Sequence, residues 1–225
     1  MKPFVPGQFF NLGLDGGGDA VRRAYSAASA PNAPHLEFYL TEVPGGALTP
    51  RLCRLSEGDR VQIDPNPQGF FSLAWVPPAR HLWLLATGTG LGPFISILRS
   101  GEAHARFERI VVVHGVRSSL ELGYADELRA LAGPELAYVP ALSRDSRSGV
   151  LSGRLPALLR AGEVERQAGL ALAPEDSHVM LCGNPGMIDD ALALFAERGL
   201  RRHRTRKPGH VTVERYWESS SPAPA

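Results

Sequence analysis

The first 76 residues alternate apolar and polar side chains in short runs, and Gly, Pro and Asn separate these runs. Alternation with a period of two is typical of strands that are buried on one face. The pattern predicts an antiparallel barrel or sandwich with strands within residues 8–14, 23–29, 35–43, 59–65 and 69–76. A helix start interrupts the strands, with Thr49 as the predicted N-cap and Pro50 at the first helical position.

After residue 80 the pattern changes to apolar strands that alternate with amphipathic helices, which is typical of a doubly wound parallel sheet. The predicted strands lie within residues 81–86, 109–115, 136–142, 178–182 and 210–217, and the helices begin at Pro93, Tyr124, Leu155 and Pro185. We therefore predict an α+β protein of two domains. The domains span residues 1–76 and 81–217, residues 77–80 form a linker, and residues 218–225 form a disordered tail.

Composition narrows the classes of function. The formal net charge of +1 provides no global attraction to nucleic acid or to a membrane, and no run approaches about 18 apolar residues. Cys53 and Cys182 are far apart and lack CxxC spacing, which excludes a disulfide framework and a four-thiolate iron–sulfur site within the chain. We expect no metal site, no export signal, no membrane insertion and a reducing, cytoplasmic setting.

The loop "ATGTGLGP", residues 86–93, joins the first strand of the second domain to its helix. Backbone N–H groups at such a helix start favour a phosphate, although a tight glycine turn explains the loop equally well. It is not a Rossmann fingerprint, because Pro93 stands where the third Gly is needed. The acidic residue Glu108 also precedes the second strand instead of following it.

Three arginines follow strands of this domain at their carboxyl ends, where open α/β sheets bind ligands. They are Arg117, Arg144 and Arg154. Each could be an ordinary solvated loop residue, but their common edge favours a site for a phosphate beyond the pyrophosphate. On the next strand, Cys182 reads as buried filler, and Gly183 would let a flat ring approach the backbone.

The segment "RRHRTRK", residues 201–207, contains five basic residues and no acidic one. It could steer an acidic partner toward the protein, and it could equally be a solvated basic loop.

Seven strings together resemble the bacterial ferredoxin/flavodoxin–NADP reductases, in the branch that ends in Tyr-Trp. They occur in order from about Phe4 to Trp217, and they are "RAYS", "EFYL", "LTPRL", "ATGTGLGP", "SRDS" with "LSGR", "CGNP" and "ERYW". The resemblance implies an antiparallel FAD-binding β-barrel followed by an NADP-binding α/β domain. Family members begin with about two more barrel strands, so the barrel is expected to lack its first strands. This chain also continues for eight residues after Trp217.

The resemblance assigns the Arg-x-Tyr-Ser string to the flavin. Arg23 would pair with the pyrophosphate, Tyr25 would lie beside the ring, and Ser26 would sit near flavin N5, so Tyr25 and Ser26 are the predicted catalytic residues. The full set predicted to bind FAD is Arg23, Ala24, Tyr25, Ser26, Tyr39, Leu40, Thr41, Ala47, Leu48, Thr49, Thr89, Tyr216 and Trp217. The set predicted to bind NADP(H) is Val116, Arg117, Ser143, Arg144, Arg154, Asn184, Pro185 and Gly186.

The implied activity is hydride transfer between NADPH and FAD, coupled to single-electron transfer to a ferredoxin or flavodoxin. The chain is expected to act as a monomer. Two alternatives stay open. One is a stand-alone NAD(P)H–flavin reductase component of an oxygenase, and the other is a flavin-less remnant that binds NADP as a sensor.

Overall fold

The computed structural model describes residues 2–14 and 21–216. The chain forms two compact units. The first unit comprises Met1–Ala74 and Gly92–Gly101, and the second comprises Trp75–Leu91 and Glu102–Ala225. The domain limits at residues 76 and 80 stay a prediction. Trp217 and the tail 218–225 lie outside the described residues.

The described part of the first unit contains an antiparallel sheet with the strand order β2-β1-β3. Its elements are β1 (Phe9–Gly13), β2 (Arg23–Ser26), α1 (Thr49–Leu52), β3 (Gln62–Ile63) and α2 (Gly92–Arg99). Alternate residues of β1, Phe10 and Leu12, are buried and pack with Phe4 and Ala27. The rings of Phe4 and Phe10 pack edge to face, with centroids 5.5 Å apart. The period-two pattern therefore predicted the buried face of this strand correctly.

Two of the predicted strands are wrong. Residues 35–43 make only an isolated bridge, between Ala27 and Phe38. Residues 69–76 contain the 3₁₀ turn Leu73–Trp75, since Phe71, Ser72 and Leu73 are all buried and the alternation fails there. The strand expected in residues 59–65 is reduced to β3.

The predicted cap of α1 is also wrong. Leu48 is the N-cap residue, and Pro50 is the second residue of the helix. The Thr49 hydroxyl instead accepts a hydrogen bond of 2.9 Å from the N–H of Val43. A hydroxyl committed to the preceding loop is not available to cap the helix.

The second unit contains a parallel sheet whose described strands have the order β7-β6-β5-β4-β8-β9. The strands are β4 (His81–Thr87), β5 (Arg109–Val116), β6 (Leu136–Leu142), β7 (Leu151–Ser152), β8 (Ser177–Gly183) and β9 (Val211–Arg215). The helices are α3 (Glu102–Arg106), α4 (Ala125–Leu131), α5 (Leu155–Arg160), α6 (Glu163–Ala168) and α7 (Pro185–Glu197). The strand order reverses between β4 and β8, so this is a topological switch point. Together with the antiparallel sheet, this arrangement confirms the predicted fold class.

The parallel strands are buried on both faces, which explains their continuous apolar runs. Trp83, Leu85, Val111 and Val113 lie in one large cluster with the α7 residue Phe195. Each buried residue of this cluster is less than a tenth exposed, so the core beneath the sheet edge is closely packed. None of the helices in the described ranges combines the length and apolar character that a membrane crossing requires.

Candidate active site

The carboxyl edge of the parallel sheet gathers the loops that follow β4, β5, β6 and β8. The turn Gly88–Leu91 follows β4, and Asn184 follows β8. Because β4 and β8 are neighbours at the switch point, these two segments meet in the crevice where open sheets bind ligands.

Two glycines allow the ends of β4 and β8 to pack together without side chains between them. A Cβ at Gly90 would lie 2.5 Å from the carbonyl oxygen of Cys182. Gly183 has φ +135°, and its Cβ would lie 2.2 Å from Oγ1 of Thr87. That hydroxyl also accepts a 2.9 Å hydrogen bond from the N–H of Asn184. Gly183 therefore packs closely against Thr87 on the side where a Cβ would stand, and the expectation that it lets a flat ring approach the backbone stays a prediction.

Gly90→Ala should destabilise the protein by about 1–3 kcal/mol, because its methyl group would collide with backbone and not with a flexible side chain. Gly133→Ala is the matched control, since a Cβ at Gly133 meets no heavy atom within 4 Å. Urea unfolding of both variants measures the difference. Equal free energies of unfolding in the two variants would show that the β4–β8 contact tolerates a side chain.

The loops after β5 and β6 are joined by hydrogen bonds, and this brings two of the predicted arginines together. The N–H of Ser143 donates to the carbonyl of Val116, and the N–H of Arg144 donates to the carbonyl of Arg117, each over 2.9 Å. The side chains of Arg117 and Arg144 are exposed. The structure therefore places two cations on adjoining backbones at the carboxyl edge.

The third arginine lies beside the same pair of loops. The N–H of Gly153 donates to the carbonyl of Leu142 over 2.8 Å, and the exposed residue Arg154 follows directly. Asp145 is also nearby, but it holds the loops by accepting hydrogen bonds from the N–H groups of Ser119 and Ser146. Those hydrogen bonds hold the pKa of Asp145 below its ordinary value, so it remains a carboxylate.

The start of α7 carries the predicted residues Asn184, Pro185 and Gly186. The Asn184 side chain caps the helix, since its Oδ1 accepts a 3.2 Å hydrogen bond from the N–H of Met187. Asn184 and Gly186 are exposed, and Pro185 is buried. A helix of 13 residues that begins at this edge favours a negatively charged ligand there.

A cluster of polar side chains at the ends of β8 and β9 was missed by the sequence prediction, apart from Thr89 and Tyr216. The contacts fit a chain of donors in which Thr89 donates to the Tyr216 hydroxyl and Tyr216 donates to the Cys182 sulfur. The thiol in turn lies 3.9 Å from Oε2 of Glu214. Cys182 is buried, as predicted, and its thiol also belongs to this polar cluster. Glu214 could have been found only from the pairing of Cys182 with Glu214 in the sheet.

Burial sets the protonation of this cluster. It raises the pKa of the Cys182 thiol and that of the Tyr216 hydroxyl well above their ordinary values. Both groups therefore keep their protons at neutral pH, and the thiol is not a nucleophile. Glu214 ends the donor chain, because its Oε2 accepts from the Cys182 thiol.

In the first unit, β2 carries the Arg-x-Tyr-Ser string. Arg23 pairs with Leu12 and Tyr25 pairs with Phe10, so Arg23 and Tyr25 share one face of the sheet. Ala24 and Ser26 belong to the opposite face. Tyr25 packs against the Phe4–Phe10 cluster, and burial raises its pKa. Arg23 is exposed, and its Nη1 donates to the carbonyl of Arg22 over 2.9 Å.

Ser26 lies instead with Tyr39 at the first residue of α2. A Cβ on Gly92 would be 3.7 Å from the Ser26 carbonyl oxygen and 3.8 Å from Cβ of Tyr39. Two contacts anchor α2 to the segment that contains Ser29 and Glu37. The Ser96 hydroxyl donates to the carbonyl of Ser29 over 2.7 Å, and Arg99 forms a 3.0 Å ion pair with Glu37. The structure therefore brings Ser26 and Tyr39 together and separates Ser26 from the face of Arg23 and Tyr25.

The loop from Leu40 to Thr49 offers backbone donors. A turn closes through the N–H of Gly46, which donates to the carbonyl of Val43 over 2.8 Å. Within the described residues, the N–H groups of Ala47, Leu48 and Thr49 make no hydrogen bond. Thr41 and Ala47 are exposed, whereas Leu48 is buried. Successive N–H groups without a protein acceptor suit a phosphate, as predicted for this loop.

Comparison with known proteins assigns the family. Residues 84–192 match the family model described as the oxidoreductase NAD-binding domain. The flavodoxin/ferredoxin–NADP reductases of Shigella flexneri and Escherichia coli are each 46% identical over 221 residues, which is 96% of this chain and 89% of each relative. A crystal structure of a ferredoxin NADP+ reductase from Neisseria gonorrhoeae, with bound FAD and NADP, superposes with a TM-score of 0.88 at 33% identity. That match covers 95% of this chain and 87% of the other. The chain therefore belongs to the flavodoxin/ferredoxin–NADP reductase family.

Proposed function

We propose that this protein is an FAD-dependent reductase that transfers electrons between NADPH and a ferredoxin or flavodoxin. The observation that carries the proposal is the carboxyl edge of the parallel sheet, where exposed arginines stand on hydrogen-bonded loops. The names of the relatives support the same activity, and the similar structure from Neisseria gonorrhoeae holds FAD and NADP.

The residues of the first unit fit a bound FAD. The N–H groups of Ala47, Leu48 and Thr49 would donate hydrogen bonds to its pyrophosphate, and Arg23 is exposed and able to form forked contacts with phosphate oxygens. Ser26 would place a hydroxyl donor beside the flavin. When bound, FAD accepts a hydride and releases electrons singly, which no protein side chain here can do.

NADPH would bind as substrate at the carboxyl edge of the second unit. A guanidinium makes forked, charge-assisted contacts with phosphate oxygens, so Arg144 and Arg154 would hold the 2′-phosphate. Arg117, on the backbone that adjoins Arg144, would contact either this phosphate or the pyrophosphate. The start of α7 at Asn184 and Gly186 would face the remaining part of the coenzyme.

The donor chain at the ends of β8 and β9 would hold protons in place during the reaction. Tyr216 and Cys182 remain protonated, so they orient neighbours by donating hydrogen bonds. Glu214 would fix the direction of that chain, because a carboxylate accepts without donating. Trp217, which lies outside the described residues, would add aromatic cover.

Two observations favour this activity over the two alternative functions. A reductase component of an oxygenase is not favoured, because the relatives at 46% identity are named for ferredoxin and flavodoxin. A flavin-less remnant would not need the N–H donors of Ala47, Leu48 and Thr49, which make no hydrogen bond within residues 2–14 and 21–216. We propose that the protein acts as a cytoplasmic monomer, and its two free cysteines fit a reducing compartment.

Cytochrome c reduction driven by NADPH tests the proposed function. The assay should proceed slowly with the reductase alone and should accelerate when a ferredoxin or flavodoxin is added as the intermediate carrier. Removal of FAD by acid ammonium sulfate should abolish the rate, and readdition of FAD should restore it. A rate that ignores both carriers would contradict the proposed partners.

Ser26→Ala should slow flavin reduction by NADPH at least about tenfold, because a hydroxyl donor near the site of hydride transfer would be lost. FAD should stay bound, since Ser26 is not among the proposed phosphate contacts. Ser100→Ala is the control, because it removes an exposed hydroxyl at the end of α2. Ser29→Ala is less suitable, because the Ser29 hydroxyl accepts a hydrogen bond from the N–H of Glu37. Single-turnover rates equal to wild type in Ser26→Ala would disprove the role of this hydroxyl.

A further inference from the structure

His114 is a fully buried histidine in β5, at the same end of the sheet as the candidate site. Its Nε2 lies 3.0 Å from the carbonyl oxygen of Gly88. A carbonyl oxygen can only accept, so Nε2 carries the hydrogen and a neutral ring leaves Nδ1 as a lone pair. Within the described ranges Nδ1 has no hydrogen-bond partner.

A histidine at this position costs more folding free energy than filling the space requires. A buried nitrogen without a partner loses its hydration, and burial lowers the pKa of His114 to about 4. A phenylalanine of similar size would fill the same space without the unpaired ring nitrogen, but it would remove the hydrogen bond to the Gly88 carbonyl. Stability alone therefore does not account for a histidine at this position, and the hydrogen bond to Gly88 becomes the feature to explain.

The Gly88 carbonyl begins the turn that carries part of the candidate site. Gly88 adopts a left-handed conformation with φ +55°, and Thr89 follows it directly. Thr89 hydrogen-bonds with Tyr216, and Gly90 packs against the carbonyl of Cys182. The turn is thus held by Gly90 at one point and by His114 at the residue before Thr89.

We propose that His114 is a positioning residue for hydride transfer, whose Nε2–H holds the Gly88 peptide so that Thr89 stays in contact with Tyr216. This inference rests on the proposed reductase function. His114 touches neither coenzyme in this account, since it acts through the turn Gly88–Leu91.

Three variants separate positioning from packing. His114→Phe keeps the ring volume and removes the donor, and His114→Gln keeps a side-chain N–H that can reach the carbonyl. His178→Gln is the matched control, because His178 is equally buried in β8 but lies at the amino end of the sheet, where its Nε2 is 2.8 Å from Oγ1 of Thr212.

We expect His114→Phe to reduce the rate of flavin reduction at saturating NADPH about tenfold and to leave the KM for NADPH within about twofold. His114→Gln should recover most of the rate, and His178→Gln should match wild type. Two further readouts do not depend on activity. The melting temperature of His114→Phe at about pH 5.5 should be no lower than that of wild type, and ¹⁵N NMR should show the Nε2–H tautomer of His114.

A wild-type rate in His114→Phe, an equally slow His114→Gln or an Nδ1–H tautomer would each overturn the inference. A loss of melting temperature in His114→Phe that parallels its loss of rate would also overturn it, because a structural role would then suffice. If NADPH fails to reduce the wild-type flavin, the proposed function fails instead. The tautomer and the melting temperatures then still decide whether His114 holds Gly88.

Discussion

Arg144→Ala and Arg154→Ala should each raise the KM for NADPH about ten- to a hundredfold and should change the KM for NADH little. The basis is a charge-assisted hydrogen bond to the 2′-phosphate, which is worth roughly 1.5–3 kcal/mol and which NADH cannot make. Both arginines are exposed, so the effect should shrink as the salt concentration rises. Steady-state kinetics with both coenzymes measures it.

Arg160→Ala is the matched control for these two variants. Arg160 is also exposed, but it ends α5 and forms a 2.9 Å ion pair with Glu197. Its replacement should leave both KM values unchanged. Variants that lose NADPH and NADH in proportion, or a wild type that uses the two equally, would show that Arg144 and Arg154 do not recognise the 2′-phosphate. Arg117→Ala then distinguishes its two roles, since a pyrophosphate contact would affect both coenzymes alike.

Acidification from about pH 7.5 to about pH 5 should lower the free energy of unfolding by roughly 4 kcal/mol through two buried histidines. Burial is the main cause that lowers the pKa of His114 to about 4 and that of His178 to about 3, from an ordinary value of 6.5. For His178, the nearby His203 and His210 act in the same direction. The unfolded chain binds protons below its pKa of 6.5, and the folded chain does not, so stability falls as the pH falls through this range.

Urea unfolding at the two pH values measures the effect. His178→Gln should remove about half of the pH dependence, because each histidine contributes about 2 kcal/mol at pH 5. The carboxylates of Asp145 and Asp189 also have lowered pKa values, and their contribution is lost only at lower pH, as the pH falls through their ordinary value of 3.8 and below. Equal stability of the wild type at the two pH values would contradict the neutral, buried state of both rings.

The parallel sheet could be predicted well because its physical signal is strong. Strands such as β4 and β8 are buried on both faces, so their sequences are nearly continuous apolar runs between loops. The first unit gave a weaker signal. Residues 35–43, which include Tyr39 and Leu40, were predicted as a strand, but they make only the isolated bridge between Ala27 and Phe38. Tertiary contacts such as the ion pair of Glu37 with Arg99 take the place of a strand ladder there.

The candidate site also contains residues that the sequence could predict and residues that it could not. Arg117, Arg144 and Arg154 could be predicted because topology places the carboxyl ends of all parallel strands at one edge. Glu214 and His114 could not, since their roles depend on which strands are neighbours and on the register between them. The register pairs Glu214 with Cys182, and a single hydrogen bond links His114 to Gly88.

Anaerobic stopped-flow mixing tests the central claim most directly. The FAD-loaded protein should lose its flavin absorbance with one equivalent of NADPH, and two equivalents of an oxidised ferredoxin should then restore it, because a hydride carries two electrons and ferredoxin accepts one. NADH at the same concentration should reduce the flavin much more slowly. A protein that cannot be loaded with FAD, or whose reduced flavin neither ferredoxin nor flavodoxin reoxidises, would contradict the account.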